Sequence, residues 1–141
     1  MAGEPSLEEI RETFSFFDDW EDRYRYVIEL GQQLPELPAT GRTEQNLVRG
    51  CQSQVWLQID EHTVAGETHL SLAIDSDAFI VKGLASILLA ALNGRSAANI
   101  LEQNPLALFD ELGLLNHLSP SRGNGLRAMI ERIRAEAKQR L

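Results

Sequence analysis

The chain has 141 residues, 43% hydrophobic and 24% charged, with a formal net charge of −8 and a single cysteine. That is enough for one globular domain with a sizeable core, read here as residues 1–141. It excludes an internal disulfide and a cysteine-rich zinc site, and the acidic balance argues against binding a phosphate backbone. The charge is uneven: residues 1–80 carry sixteen acids against five Lys/Arg, residues 81–141 five against eight.

In chain order, the start MAGEPSLEEIRE is acidic and has no apolar signal core, which reads as no export signal and a cytoplasmic protein. Ser6-Leu7-Glu8-Glu9 has capping-box form, and Leu7, Ile10, Phe14 and Phe17 follow at helical spacing, predicting a helix over 7–17. A second helix begins at the acids Asp19, Glu21 and Asp22 and stops near Gly31, its apolar face traced by Trp20, Tyr24, Val27 and Ile28. Residues 32–43, with two prolines and a glycine, read as a connecting loop.

From Gln54 the period changes to two. Val55, Leu57 and Ile59 alternate with Gln54, Trp56 and Gln58, and Leu70, Leu72 and Ile74 form a second such run. Glu61 to Thr68 reads as a turn containing Gly66 with a short middle strand at Thr63–Ala65, giving an antiparallel meander of about three strands. Ser76 or Asp77 is the expected cap of a long apolar helix over 78–92, ended by Asn93-Gly94, with Gly83 allowing close approach. No stretch is long enough to cross a bilayer. Ser96 starts a short helix, Asn104-Pro105 another ending at Gly113, and Ser119-Pro120 or Ser121 opens the last. Helices flanking a small antiparallel sheet imply an α+β fold.

Three readings stay open for Cys51 on its residues alone: a buried small hydrophobe, a nucleophile, or a sulfur that bonds another protein's sulfur. Gly50 lends backbone freedom, Gln52 and Ser53 are polar, and a loop-to-strand junction is where functional side chains are presented. Arg49 favours a thiolate if its guanidinium points that way. His62, His69 and His117 are candidate bases without diagnostic spacing, Asp75 and Asp77 fit helix capping, and Trp20, Tyr24 and Tyr26 fit helix packing.

The segment NLVRGCQSQVWL, residues 46–57, resembles the active-cysteine segment of the SufE family of sulfur-acceptor proteins. The likeness continues through WEDRY (20–24), ELGQQLP (29–35), DSD (75–77), IVKGL (80–84) and HLSPSR (117–122), covering nearly the whole chain. Gln52-Ser53-Gln54 is similar to the Suf-system branch, whereas PLALFDELGL (105–114) looks closer to the CsdE branch.

The resemblance implies a SufE/NifU (IscU)-like fold and a sulfur relay. A pyridoxal-phosphate cysteine desulfurase, SufS- or CsdA-like, would hold sulfur as a persulfide; Cys51 would accept it, stimulate the desulfurase by clearing it, and pass the sulfur on for iron–sulfur cluster assembly, to a scaffold such as the SufBCD complex or another acceptor. The chain would need no cofactor or metal of its own, and a homodimer is possible. One thiol suffices, because a second nearby cysteine would trap the loaded sulfur as a disulfide. The resemblance also implies that Cys51 leans into an apolar recess and swings out on Gly50. It places Asp77 and Arg122 beside the loop, or against the desulfurase, and Trp56 beside the recess. Gln54 would bond loop backbone, and Gln52, Ser53, Asp75 and Lys82 join the candidate loop and interface set. The rivals are a stand-alone thiol enzyme of peroxidase or hydrolase type and a cluster scaffold, for which one cysteine is too few.

Overall fold

The structure, a computed structural model, describes residues 6–49 and 53–141. Two helices, α1 (Leu7–Ser15) and α2 (Trp20–Gln33), precede a hairpin of β1 (Val55–Val64) and β2 (Glu67–Ser76). Four more follow: α3 (Phe79–Leu92), α4 (Ala97–Glu102), α5 (Pro105–Glu111) and α6 (Pro120–Lys138). The α+β class is as the sequence implies.

The helix starts obey local chemistry. Ser6, Asp19, Ser96, Asn104 and Ser119 each accept a hydrogen bond from a first-turn amide, satisfying donors that no intrahelical carbonyl reaches. The first helix stops two residues earlier than its apolar spacing predicts. Phe16 and Phe17 close its last turn, Phe16 lying in solvent while Phe17 packs its ring 5.8 Å from that of Tyr26.

Among the described residues the sheet has two strands, not three. Register runs from Val55↔Ser76 to Val64↔Glu67, so the predicted middle strand is the distal end of β1. Ala65 and Gly66 turn the chain at φ 53° and 82°, the left-handed pair that a two-residue hairpin requires. What resembles a third strand is one bridge on the outer edge of β1, Leu47 with Trp56; a second, Ser96 with His69, borders β2.

α3 is the central element, with twelve of its fourteen residues buried. It packs on β2 from one side and on α2 and α6 from others. At the α2/α3 crossing two glycines face the partner backbone: a Cβ on Gly31 would overlap the Phe79 carbonyl, and one on Gly83 the Val27 carbonyl. The small residues set the helix separation. Among the described residues no helix is long and apolar enough to cross a membrane.

Candidate functional site

Gly50, Cys51 and Gln52 lie outside the described residues; the chain on either side is held by hydrogen bonds. Upstream, Val48 N–H donates to Val55 O (2.8 Å) and Leu57 N–H to Asn46 O (2.8 Å), docking 46–48 along β1 with Val48 buried. Arg132 reaches across from α6 and donates to Gln45 O (2.7 Å) and Leu47 O (3.1 Å), while its Nε is held by Glu136 at 2.9 Å. Burial pushes the Glu136 carboxyl up, but hydrogen bonds from Arg140 and Arg132 and their charges outweigh it and hold it below the usual range.

Downstream, Gln54 N–H donates to Asp77 Oδ1 (3.1 Å) and Asp77 N–H to Gln54 O (3.3 Å). Asp77 therefore spends its carboxylate on this strand entrance and does not cap α3. The cap of α3 is Ala78, with no side-chain bond; Ser76 Oγ accepts from Ala78 N–H outside the helix. Arg49 is exposed and 3.4 Å from Glu44, which offsets the positive charge that sequence had offered to a thiolate.

A cavity of about 310 Å³ opens beside this segment. Val55, Ile80, Val81, Leu126 and Met129 give it apolar walls; Ser53, Ser121 and Arg122 contribute polar groups. Gly123 and Gly125, buried in α6, keep the helix slim there. Arg122 also borders a second, open hollow with Trp20, Tyr24 and Ile28. Its guanidinium lies 5.9 Å from the Tyr24 ring centre, a cation–π contact. Trp20 in turn stacks on His117, centroids 4.5 Å apart and planes 13° off parallel.

Asp75 and Asp77, two residues apart, serve different places. Asp75 is 1% exposed and accepts from Leu37 N–H (2.9 Å), Ser76 N–H (2.8 Å) and Arg42 Nη2 (2.9 Å), with Lys82 Nζ at 3.6 Å. Burial alone would raise its carboxyl; the two amides, Arg42 and Lys82 more than reverse that, and its pKa is lowered. This buried knot fastens the 34–43 loop to β2 and α3. Trp56 pairs with Asp75 in the register, under the Arg42 guanidinium at 5.6 Å, and does not line the cavity. Lys82 belongs to the knot.

His62 and His69 stand at the turn end of the hairpin, away from Gln54, and His117 is engaged with Trp20, so no described histidine contacts the cysteine's flanks. Sequence reasoning missed Arg42 and Arg132. Both act across long separations, 33 and 85 residues, and neither carries a local signal.

A family model described as the Fe-S metabolism associated domain, SufE, matches residues 8–137. The chain belongs to the SufE family. An uncharacterized SufE-like protein of Rhizobium meliloti is 50% identical over 136 residues, 96% of this chain and 97% of that one. The sulfur acceptor protein CsdE of Escherichia coli is 44% identical over 144 aligned residues, covering 99% of this chain and 96% of its own. A solution structure of a hypothetical protein from Thermus thermophilus has the same fold, with a TM-score of 0.71 at 27% identity and 96% coverage of both chains. Against this SufE-family background, the anchored strand entrances and the adjoining cavity are the features of the segment that the described residues define.

Proposed function

We propose that the protein is a sulfur acceptor of iron–sulfur metabolism and that Cys51 is the residue that carries the sulfur. The reading is carried by one observation: the only cysteine of a SufE-family chain lies in a five-residue span between two fixed points, Val48 and Gln54, and that span's last residue, Ser53, lines a cavity. Cys51 is two peptide units from Ser53, so covalent reach keeps the two Cα atoms within about 7 Å.

The donor is a persulfide on a pyridoxal-phosphate cysteine desulfurase. Cys51 thiolate attacks the terminal sulfur; the donor's S–S bond breaks, the donor cysteine leaves as a thiolate, and the new S–S bond forms on Cys51 with the terminal proton retained. There is no net oxidation, so neither a second thiol nor a bound cofactor is needed. Running the same exchange toward an acceptor delivers the sulfur for cluster assembly, and removal of the donor's sulfur stimulates the desulfurase. A lone free thiol suits the reducing cytoplasm.

Roles for the other residues follow from their contacts. Asp77 fixes the chain at Gln54, just downstream of the cysteine segment. Arg122 supplies a positive charge at the cavity, suited to a persulfide or thiolate anion, and the apolar walls keep bulk reductant out. Lys82 acts indirectly, by satisfying Asp75 beneath the neighbouring loop.

Incubation with a cysteine desulfurase and cysteine, without reductant, should add one sulfur atom to Cys51 by intact mass. The Cys51→Ser protein should take none and should not stimulate cysteine turnover. Full stimulation by Cys51→Ser would sink the reading, as would thiol-dependent turnover of peroxide or ester without any partner. Repeating the loading with two paralogous desulfurases identifies the partner.

A further inference from the structure

At the turn end of the hairpin, opposite the cysteine segment, two imidazoles face each other across the strands. His62 and His69 are register partners whose ring centres are 5.7 Å apart with planes inclined by 35°. We propose that they form a two-imidazole chelate for a divalent late transition-metal ion, Ni²⁺ or Cu²⁺.

The hydrogen bonding prepares the pair. His69 Nδ1 lies 2.9 Å from the Gly94 carbonyl, which can only accept, so Nδ1 carries the ring proton and Nε2 of the neutral ring keeps its lone pair. A backbone carbonyl orienting a histidine through its other nitrogen is the usual outer support of a ligating imidazole. That support is itself fixed: Gly94 N–H donates to Leu70 O (2.8 Å) and Leu70 N–H to Arg95 O (3.0 Å), binding the end of α3 to β2. His62 Nδ1 is 3.5 Å from Ser71 Oγ, a hydroxyl able to accept its proton, so His62 can present Nε2 in the same tautomer.

The spacing fits a shared ion. With each ligating nitrogen about 2.1 Å from a metal and each ring centre about 3.2 Å from it, ring centres 5.7 Å apart lie within the reach of two imidazoles on one ion, at an N–metal–N angle of about 125° once side-chain rotation brings both Nε2 atoms to it. Asp60 and Glu67, exposed and two residues from His62 and His69 on their respective strands, add negative potential on that face. Among the described residues no three His, Cys, Asp or Glu side chains cluster closely enough to hold a metal, so water completes the coordination. Two imidazole nitrogens with open positions favour Cu²⁺ and Ni²⁺ over Fe²⁺ and Mn²⁺.

The test is calorimetric titration of Ni²⁺ into the full chain carrying Cys51→Ser, so that the thiol does not compete, with Cu²⁺ electron paramagnetic resonance to count coordinated nitrogens. One equivalent should bind, with two nitrogen couplings from imidazole. Loss of an outer partner alone weakens metal sites about 10–100-fold, so His62→Asn and His69→Asn should each weaken binding by at least about tenfold. His117→Asn, whose ring is stacked on Trp20, should leave it unchanged. His62→Asn decides the matter, because that ring is exposed and makes little contact with the fold. Ni²⁺ affinity equal to the parent's in His62→Asn, or a single nitrogen coupling in the parent, overturns the proposal.

Discussion

Asp77 and Gln54 exchange two hydrogen bonds, side-chain carboxylate to Gln54 N–H at 3.1 Å and Asp77 N–H to Gln54 carbonyl at 3.3 Å, joining the chain ahead of α3 to the residue just before β1. The carboxylate is the part of this clasp that truncating a side chain removes. Asp77→Ala should lower stability by about 1 kcal/mol, the usual net value of one such bond. Exchange of the Gln54 amide should quicken far more than that of β1 interior amides. Asp77→Asn keeps an acceptor oxygen and should resemble the parent. Equal exchange in all three proteins would show that the carboxylate does not hold the strand entrance.

Asp75 gives a pH-dependent prediction. Its folded pKa lies below its unfolded one, so the unfolded chain binds the proton more readily. The associated stability is fully present above about pH 4 and is lost as the pH falls through the lower, folded value. Asp75→Asn leaves Lys82, 7% exposed, without its counter-charge. Arg42 is more than a third exposed and can turn to water, which moderates the loss. Removing one member of a buried pair costs about 3–5 kcal/mol, and the lower end is expected here. Urea unfolding should show the gap between parent and variant wide at pH 7 and narrowing below pH 4; a constant gap would mean the carboxylate acts only by shape.

These two aspartates also show what was legible in the sequence. The helix starts near Ser6, Asp19, Ser96, Asn104 and Ser119 could be read because a cap is a local bond, complete within four residues. The destinations of Asp75 and Asp77 could not, because both look like caps until the register sends one beneath the 34–43 loop and the other to Gln54. The hairpin was misjudged for a related reason. Glu61, His62, Thr63 and Val64 are all exposed, so the alternation of apolar and polar residues fades while the backbone ladder continues to Val64. Cys51 lies outside the described residues, but Ser53 and Arg122, grouped with its loop on sequence, both line the cavity. Arg132 was not legible, since Arg132, Glu136 and Arg140 at four-residue spacing look like a solvated helix face.

The glycine crossing predicts a packing defect that cannot be relieved by a rotamer change. A methyl group on Gly83 would meet the Val27 carbonyl, which belongs to helix backbone. Gly83→Ala should cost about 3 kcal/mol, at the upper end for overpacking, and should move α2 away from α3. Since Tyr24 on α2 underlies Arg122, the cation–π contact should weaken as well. Gly94→Ala is the control: its surroundings are open but its φ is +80°, so only left-handed strain of about 1 kcal/mol is expected. Thermal unfolding that ranks the two equally would remove the crossing as the cause.

Arg132 offers the sharpest separation of positioning from stability. Its guanidinium holds two carbonyls of the segment leading to Cys51, Gln45 O and Leu47 O, while Glu136 holds Nε. A planar fork can serve three acceptors at once; a lysine ammonium, one flexible point, cannot match that geometry. Arg132→Ala should lower global stability by only about 1 kcal/mol, because water can reach the released carbonyls. Its effect on the segment should be larger: amide exchange at 46–48 should quicken, and alkylation of Cys51 by iodoacetamide should rise several-fold over the parent. Arg132→Lys should fall between. Glu136→Gln, which leaves the arginine in place but removes its counter-charge, should reproduce part of the change. If alkylation rates track only the global unfolding free energy across these variants, Arg132 is an ordinary strut of the fold. A rate that rises ahead of the stability loss makes it the residue that sets how tightly the cysteine segment is held.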